Sequence, residues 1–205
     1  AIRAGGCGEG LGAGDREGAM SPGGIARDGA GDGRVHQDPN TGERGLRHNA
    51  VRAGLTNGYR QLPLTDGQVD GATVVLGQLP KSLDALREIA QLAAKNADQG
   101  VQLFLGGRVK HMTRTMNDVL DDSFAKVRAS LATQKSRVLV ARQPRLDVAV
   151  ASFPIRQHHT DLDLWVCAHG CSFAGTHLDH GNRSLLEFFA RIHQSSITSS
   201  DLPAG

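Results

Sequence analysis

The chain has 205 residues, enough for one large domain or one domain with part of a second. It is 39% hydrophobic and 21% charged, and no apolar run approaches the ~20 residues of a membrane span, which excludes a helical membrane protein and predicts no membrane partner. A net charge of +2 is too small to establish a nucleic-acid partner, so any such case rests on local clustering. Three cysteines make an odd count, which argues against a secreted disulfide framework, and no n-region/h-region signal opens the chain. The expectation is a reducing cytoplasm.

Residues 1–33 read as a disordered or aberrant glycine-rich arm. Twelve of the 26 glycines fall there, with few large apolar groups to offset the entropy of ordering the backbone. Gly8-Glu9-Gly10-Leu11-Gly12-Ala13-Gly14 and Gly29-Ala30-Gly31-Asp32-Gly33 do not fit G-x-G-x-x-G, and no strand is expected before them, so neither reads as a dinucleotide loop. Ala19-Met20-Ser21-Pro22-Gly23 lacks the first glycine of a nucleophile elbow.

Order is expected from Arg34. Arg34-Val35-His36 is a minimal strand. Asn40 and Glu43 resemble a capping box for a helix lined by Leu46, Ala50 and Ala53 and closed by Gly54. Tyr59–Leu64 is a second short strand. The organising stretch follows. Thr73–Gln78 is a β-branched strand and Leu79-Pro80-Lys81-Ser82 a turn. Leu83, Leu86, Ile89, Ala90 and Ala93 then repeat at helical spacing behind a Ser82 cap. Strand, turn and amphipathic helix make half a βαβ unit, so the fold class is α/β. In such folds ligands bind in the loop after a strand's carboxyl end, and Leu-Pro-Lys-Ser carries no carboxylate, asparagine or glycine pair.

Gly100 is read as ending that helix and Val101–Leu105 as a buried strand. Thr115 and Asp118 are expected to cap a helix with Met116, Val119, Leu120, Phe124 and Val127 on one face and an Asp122–Lys126 pair outside. Arg137–Ala141 and Asp147–Ala151 are expected strands separated by Gln143-Pro144-Arg145. Residues 156–160 read as a polar stretch and Leu164–Ala168 as a strand. Asn182 is then the cap of a helix Arg183–Ile192.

Cys167-Ala168-His169-Gly170-Cys171 is the one metal-like motif: on a strand, residues two apart share a face, and His158, His159, His177 or His180 would complete a tetrahedron. The Cys-x₃-Cys spacing is not that of a zinc knuckle, so the reading is a core cysteine and a strand-end histidine, with no metal. His158-His159 has no register aiming both rings at one ligand. Asp161, Asp163 and Asp179 read as solvated loop acids. Tyr59, Trp165 and six phenylalanines fall mostly at core-like positions, which argues against a chain that binds single strands by stacking alone.

Several ordered blocks carry a family likeness over about residues 34–195. Gln78-Leu79-Pro80-Lys81-Ser82-Leu83, then Gly106-Gly107-Arg108-Val109-Lys110-His111-Met112-Thr113, then Gln134-Lys135-Ser136-Arg137 resemble the N-terminal half of bacterial two-domain ribosomal RNA guanine-N2 methyltransferases. Trp165–Gly170 and Phe173–Arg183 resemble the segment leading into their catalytic domain, and Asp15–Met20 resembles the family's first turn. The resemblance implies a Rossmann-like methyltransferase fold, degenerate and with its first strand uncertain. It divides the chain into the arm (1–33), a degenerate methyltransferase-like domain (34–146), and the junction and truncated start of the catalytic domain (147–205).

In that family the C-terminal domain binds S-adenosylmethionine through an acidic, glycine-rich loop and offers Asn-Pro-Pro-[Phe/Tyr] to the guanine; neither motif occurs here. The resemblance therefore implies no cofactor in this chain, no catalytic residue, and S-adenosylmethionine for the full-length family. The expected role is to position rRNA or the ribosomal subunit and to support the absent C-terminal catalytic domain. The alternative is a stand-alone pseudo-methyltransferase acting as an RNA- or protein-interaction module. Lys81, Lys110, His111, Arg114, Lys135 and Arg137 are the candidate RNA contacts: basic groups on loops suit phosphates, which fix position without reading sequence.

Overall fold

The computed structural model describes residues 2–4, 33–36, 40–52, 54, 56–57, 59–146 and 153–197. In chain order these form β1 (Ile2–Ala4), β2 (Arg34–Val35), α1 (Asn40–Arg52), β3 (Arg60–Gln61), α2 (Asp66–Val69), β4 (Val74–Gln78) and α3 (Leu83–Asn96). There follow β5 (Gln102–Arg108), a 3₁₀ turn (Val109–His111), α4 (Arg114–Ser123), β6 (Phe124–Ala129) and β7 (Ser136–Pro144). The hairpin β8 (Ile155–His159) and β9 (Leu164–Ala168) leads to α5 (His180–Ile197).

Seven strands make one sheet in the order β3-β2-β1-β4-β5-β7-β6. β3, β2, β1, β4 and β5 run parallel to one another, while β7 runs against both β5 and β6. This is the α/β, Rossmann-like architecture expected. The organising stretch lies near its centre. Leu103 and Leu105 of β5 are fully buried, as is Leu86 of α3, with Ala90 and Ala93 beside it. Ser82 caps α3 by accepting a hydrogen bond from the Ala85 amide at 3.2 Å, the geometry that satisfies a donor helix formation would otherwise orphan. A smaller core of Val35, Leu46 and Tyr59 lies under α1.

Several expectations need correction. Ile2–Ala4 pairs in parallel with both β2 and β4, so a strand does stand ahead of the first glycine-rich run. Three residues of strand are too few to show a period. The run Gly8–Gly14, residues 29–32 of the second run and the Ala19–Gly23 stretch lie outside the described residues, as do Ala53 and 147–152. α3 ends at Asn96, where Ala97 donates to the Ala93 carbonyl, four residues before Gly100.

The helix expected to run through Val127 stops at Ser123. Phe124, fully buried, opens β6 instead. The spacing of Leu120, Phe124 and Val127 fits a helix face, but a strand there gains a full hydrogen-bonded ladder with β7, which decides the matter. The same ladder draws Gln143-Pro144 into β7, with Pro144 opposite Phe124. The polar stretch at 156–160 falls largely in a strand, Ile155–His159, zipped antiparallel to β9. α5 begins at His180 and is capped by Asp179, whose carboxylate takes the Asn182 amide at 2.7 Å.

Candidate nucleic-acid interface

Parallel strands align their carboxyl ends along one edge, and the antiparallel β7 brings its amino end to that same edge. Lys81 follows β4, and Lys110 and His111 sit in the 3₁₀ turn after β5. Arg114 opens α4, and Lys135 and Arg137 flank the start of β7. All six candidate residues thus come to one side of the sheet. Lys81, Lys110, His111, Arg114 and Lys135 are exposed, and Arg137 is half-buried.

Two devices fix this edge. The Val109 amide donates to the Lys135 carbonyl at 3.0 Å, tying the loop that carries Lys110 and His111 to the β6–β7 turn. That turn is built on Gln134 (φ 50) and Lys135 (φ 60), both left-handed, with Thr133 and Ser136 exchanging backbone hydrogen bonds at 2.9 Å. Such two-residue turns ordinarily use Asn-Gly or Asp-Gly. Arg137 lies opposite Gly107, on the face that Leu139 and Ala141 bury. A Cβ on Gly107 would stand 3.2 Å from that of Leu79 and 3.5 Å from the Met112 methyl, so only glycine leaves this corner uncrowded. Arg108, exposed at the end of β5 opposite Ser136, adds a cation not singled out from the sequence. Asp84, the acid nearest this edge in α3, is paired with Arg87 at 2.7 Å.

The junction segment closes on α3 beside the edge. Glu88, 6% exposed, accepts from the Gly170 amide at 2.8 Å and lies 2.6 Å from His169 Nδ1. Ser82 Oγ donates to the Gly170 carbonyl at 2.9 Å. A sequence scan does not find this clamp, because Glu88 and Gly170 lie 82 positions apart and nothing in the Cys-Ala-His-Gly-Cys motif points to a glutamate on α3.

The Cys-Ala-His-Gly-Cys motif is used differently from a metal site. β9 ends at Ala168, so His169 and Cys171 leave the ladder that would have aligned them with Cys167. His169 is engaged by Glu88, Cys167 is exposed rather than in the core, and burial pushes the Cys171 thiol up. Among the described residues no group of three His, Cys, Asp or Glu side chains could hold a metal ion. The three loop aspartates have partners: Asp161 takes a hydrogen bond from Arg183, which holds its carboxyl below the ordinary range, Asp163 meets His158 at 3.0 Å, and Asp179 caps α5. Trp165 is 58% exposed and Phe173 87%, against the expectation that the aromatics sit in cores.

A methyl donor of the kind the resemblance implies needs a carboxylate at a strand end for its ribose hydroxyls. Among the described residues just beyond β2, β4 and β5 there is none: His36 follows β2, buried, with Nδ1 3.1 Å from the Leu62 carbonyl, and the other two ends offer Leu79–Ser82 and Val109–Thr113. The turns after β4 and β5 do not supply that group. The residues after β1, and residues 37–39 after β2 with Asp38 among them, lie outside those described. No helix among the described residues is long and apolar enough to cross a membrane.

Comparison with known proteins agrees with this architecture. Ribosomal RNA large subunit methyltransferase G of Pseudomonas paraeruginosa is 30% identical over 169 residues, covering 82% of this chain and 45% of that protein. The Pseudomonas putida protein of the same name is 29% identical over 155 residues, covering 75% and 41%. The chain therefore spans less than half the length of these curated relatives. The solved T. thermophilus 16S rRNA N2 methyltransferase RsmC, in complex with AdoMet and guanosine, superposes with a TM-score of 0.54 at 14% identity, over 78% of this chain and 42% of that one. That likeness shows the Rossmann-like methyltransferase fold. The RLMG N-terminal domain family matches residues 14–145, more than half of the 205, and the chain belongs to that family.

Proposed function

We propose that this chain is the non-catalytic, rRNA-positioning part of an S-adenosylmethionine-dependent rRNA guanine-N2 methyltransferase, acting in the cytoplasm. The observation that carries the reading is the basic edge: Lys81, Lys110, His111, Arg114, Lys135 and Arg137 come from three separate loops to one side of the sheet, with the Val109–Lys135 bond holding two of those loops together. Cations so held suit the regularly spaced phosphates of a folded RNA, and they orient it without reading its bases. The relatives' names supply the substrate class, rRNA, and the reaction, methyl transfer. The turns after β4 and β5, which carry no carboxylate, support a role in which the donor binds elsewhere.

The support of a catalytic half rests on the other end of the chain. Phe173 of the junction and Leu185, Phe188 and Phe189 of α5 are all more than half exposed, an apolar surface suited to packing against a second domain. The test is fluorescence anisotropy of a labelled large-subunit rRNA fragment with the chain and with a Lys110→Glu/Arg114→Glu variant. The variant should bind on the order of tenfold more weakly at low salt, and its salt dependence should flatten by about 0.7–0.9 for each phosphate no longer neutralised. Equal affinity and equal salt slope would remove the edge from the account.

A further inference from the structure

The hairpin carries a second surface that neither the edge nor the family assignment uses. Its register places Arg156 opposite Cys167 and His158 opposite Trp165, so these four side chains share one face. The other face turns inward. There Ala168 is buried, the Gln157 amide oxygen takes the Thr176 hydroxyl at 2.7 Å, and His159 Nε2 lies 2.8 Å from the Thr176 carbonyl. On the outer face the His158 and Trp165 rings stack at 4.8 Å with 28° between their planes, and the Arg156 guanidinium carbon lies 5.4 Å from the indole centroid. Asp163 steadies the imidazole at 3.0 Å. The indole remains 58% exposed despite both neighbours.

We infer that this face is a stacking platform for an unpaired base of the RNA held at the basic edge, an inference that rests on the RNA reading above. Two aromatic rings and one planar cation, with no aliphatic side chain among the four residues of the face, match a nucleobase and its phosphate better than they match an apolar protein surface. The location is right as well. Cys167 precedes Gly170 by three residues, and Gly170 is bonded to Ser82 beside Lys81. Trp165 is five residues from Gly170, so at no more than about 3.3 Å per residue it lies within roughly 17 Å of that contact, within reach of nucleotides on one strand.

Trp165 is the chain's single tryptophan, so its emission reports the platform alone. The whole chain is titrated with a labelled single-stranded RNA octamer. Anisotropy measures total binding, and indole emission measures stacking. Saturable quenching with the anisotropy midpoint is expected, with none from a duplex of the same sequence. Trp165→Leu should weaken binding by about 5- to 100-fold and Arg156→Ala by a few-fold. Trp165→Phe keeps a ring and should retain most of the affinity, which separates lost stacking from lost folding. Binding by anisotropy with unmoved emission and a neutral Trp165→Leu would overturn the platform and leave the edge standing, whereas no binding at all would remove both. Emission that shifts only when a relative's carboxyl-terminal half is added would assign the face to a protein contact and overturn the inference.

Discussion

Gly170→Ala tests how the junction is joined to the sheet domain. A Cβ at this position would run into the Asp84 carbonyl group and stand 2.6 Å from the Ala85 amide nitrogen. These are backbone atoms inside the first turn of α3 and cannot step aside as a side chain could. The segment must lift. With it go the Gly170–Glu88 bond at 2.8 Å, the Ser82–Gly170 bond at 2.9 Å and the His169–Glu88 contact at 2.6 Å. A net hydrogen bond to a charged group contributes about 1.5–3 kcal/mol and a neutral one about 1 kcal/mol. Lifting also lets water reach Glu88, which limits the penalty for a buried, unpaired carboxylate. The His169 side chain is half exposed, so its contact adds little, and the other two bonds set an expected loss of about 3 kcal/mol, or roughly 6–12 °C in Tm for a chain of this size. Thermal denaturation followed by circular dichroism measures it, and amide exchange across 153–179 shows whether the hairpin opens first. Glu88→Gln should cost less, because it keeps an acceptor for Gly170, and the double variant should cost less than the two single losses summed. A Gly170→Ala protein melting within a degree of the parent would refute the reasoning.

Two further outcomes follow from local geometry. Replacing Gln134-Lys135 by Asn-Gly should raise Tm by a few degrees, since two non-glycine residues at positive φ cost on the order of 1 kcal/mol each, while weakening RNA binding through the lost Lys135 charge; unchanged stability would mean the turn is not strained. Asp161 titrates below the ordinary carboxylate range because Arg183 donates to it, so its small contribution is complete above the ordinary value of 3.8 and lost as pH falls through the lower folded value. Arg183→Gln should move the Asp161 transition upward in an NMR titration, and an unmoved transition would contradict the pairing.

Much of the architecture can be read from residue order because its causes are local. Ser82 ahead of a 3.6-residue period announces α3, and the run around Leu103 announces β5. What escapes is set by partners remote in the chain. Phe124 continues a helical face as well as it begins a strand, and only β7 decides between them. Whether Lys135 and Arg137 join Lys110 depends on β7 running antiparallel, which no side chain near residue 136 declares. The Glu88–Gly170 clamp spans 82 positions and rests on an amide that every non-proline residue carries. Trp165 resembles a core residue by type, yet its strand belongs to a two-stranded hairpin with one face open to solvent, so alternation puts it outside.

In the proposed function a methyltransferase scaffold handles RNA without holding the methyl donor. Equilibrium dialysis of the purified chain against radiolabelled S-adenosylmethionine tests it most directly. No saturable uptake is expected up to millimolar donor; retention of one equivalent per chain, displaced by unlabelled donor, would overturn the proposed role.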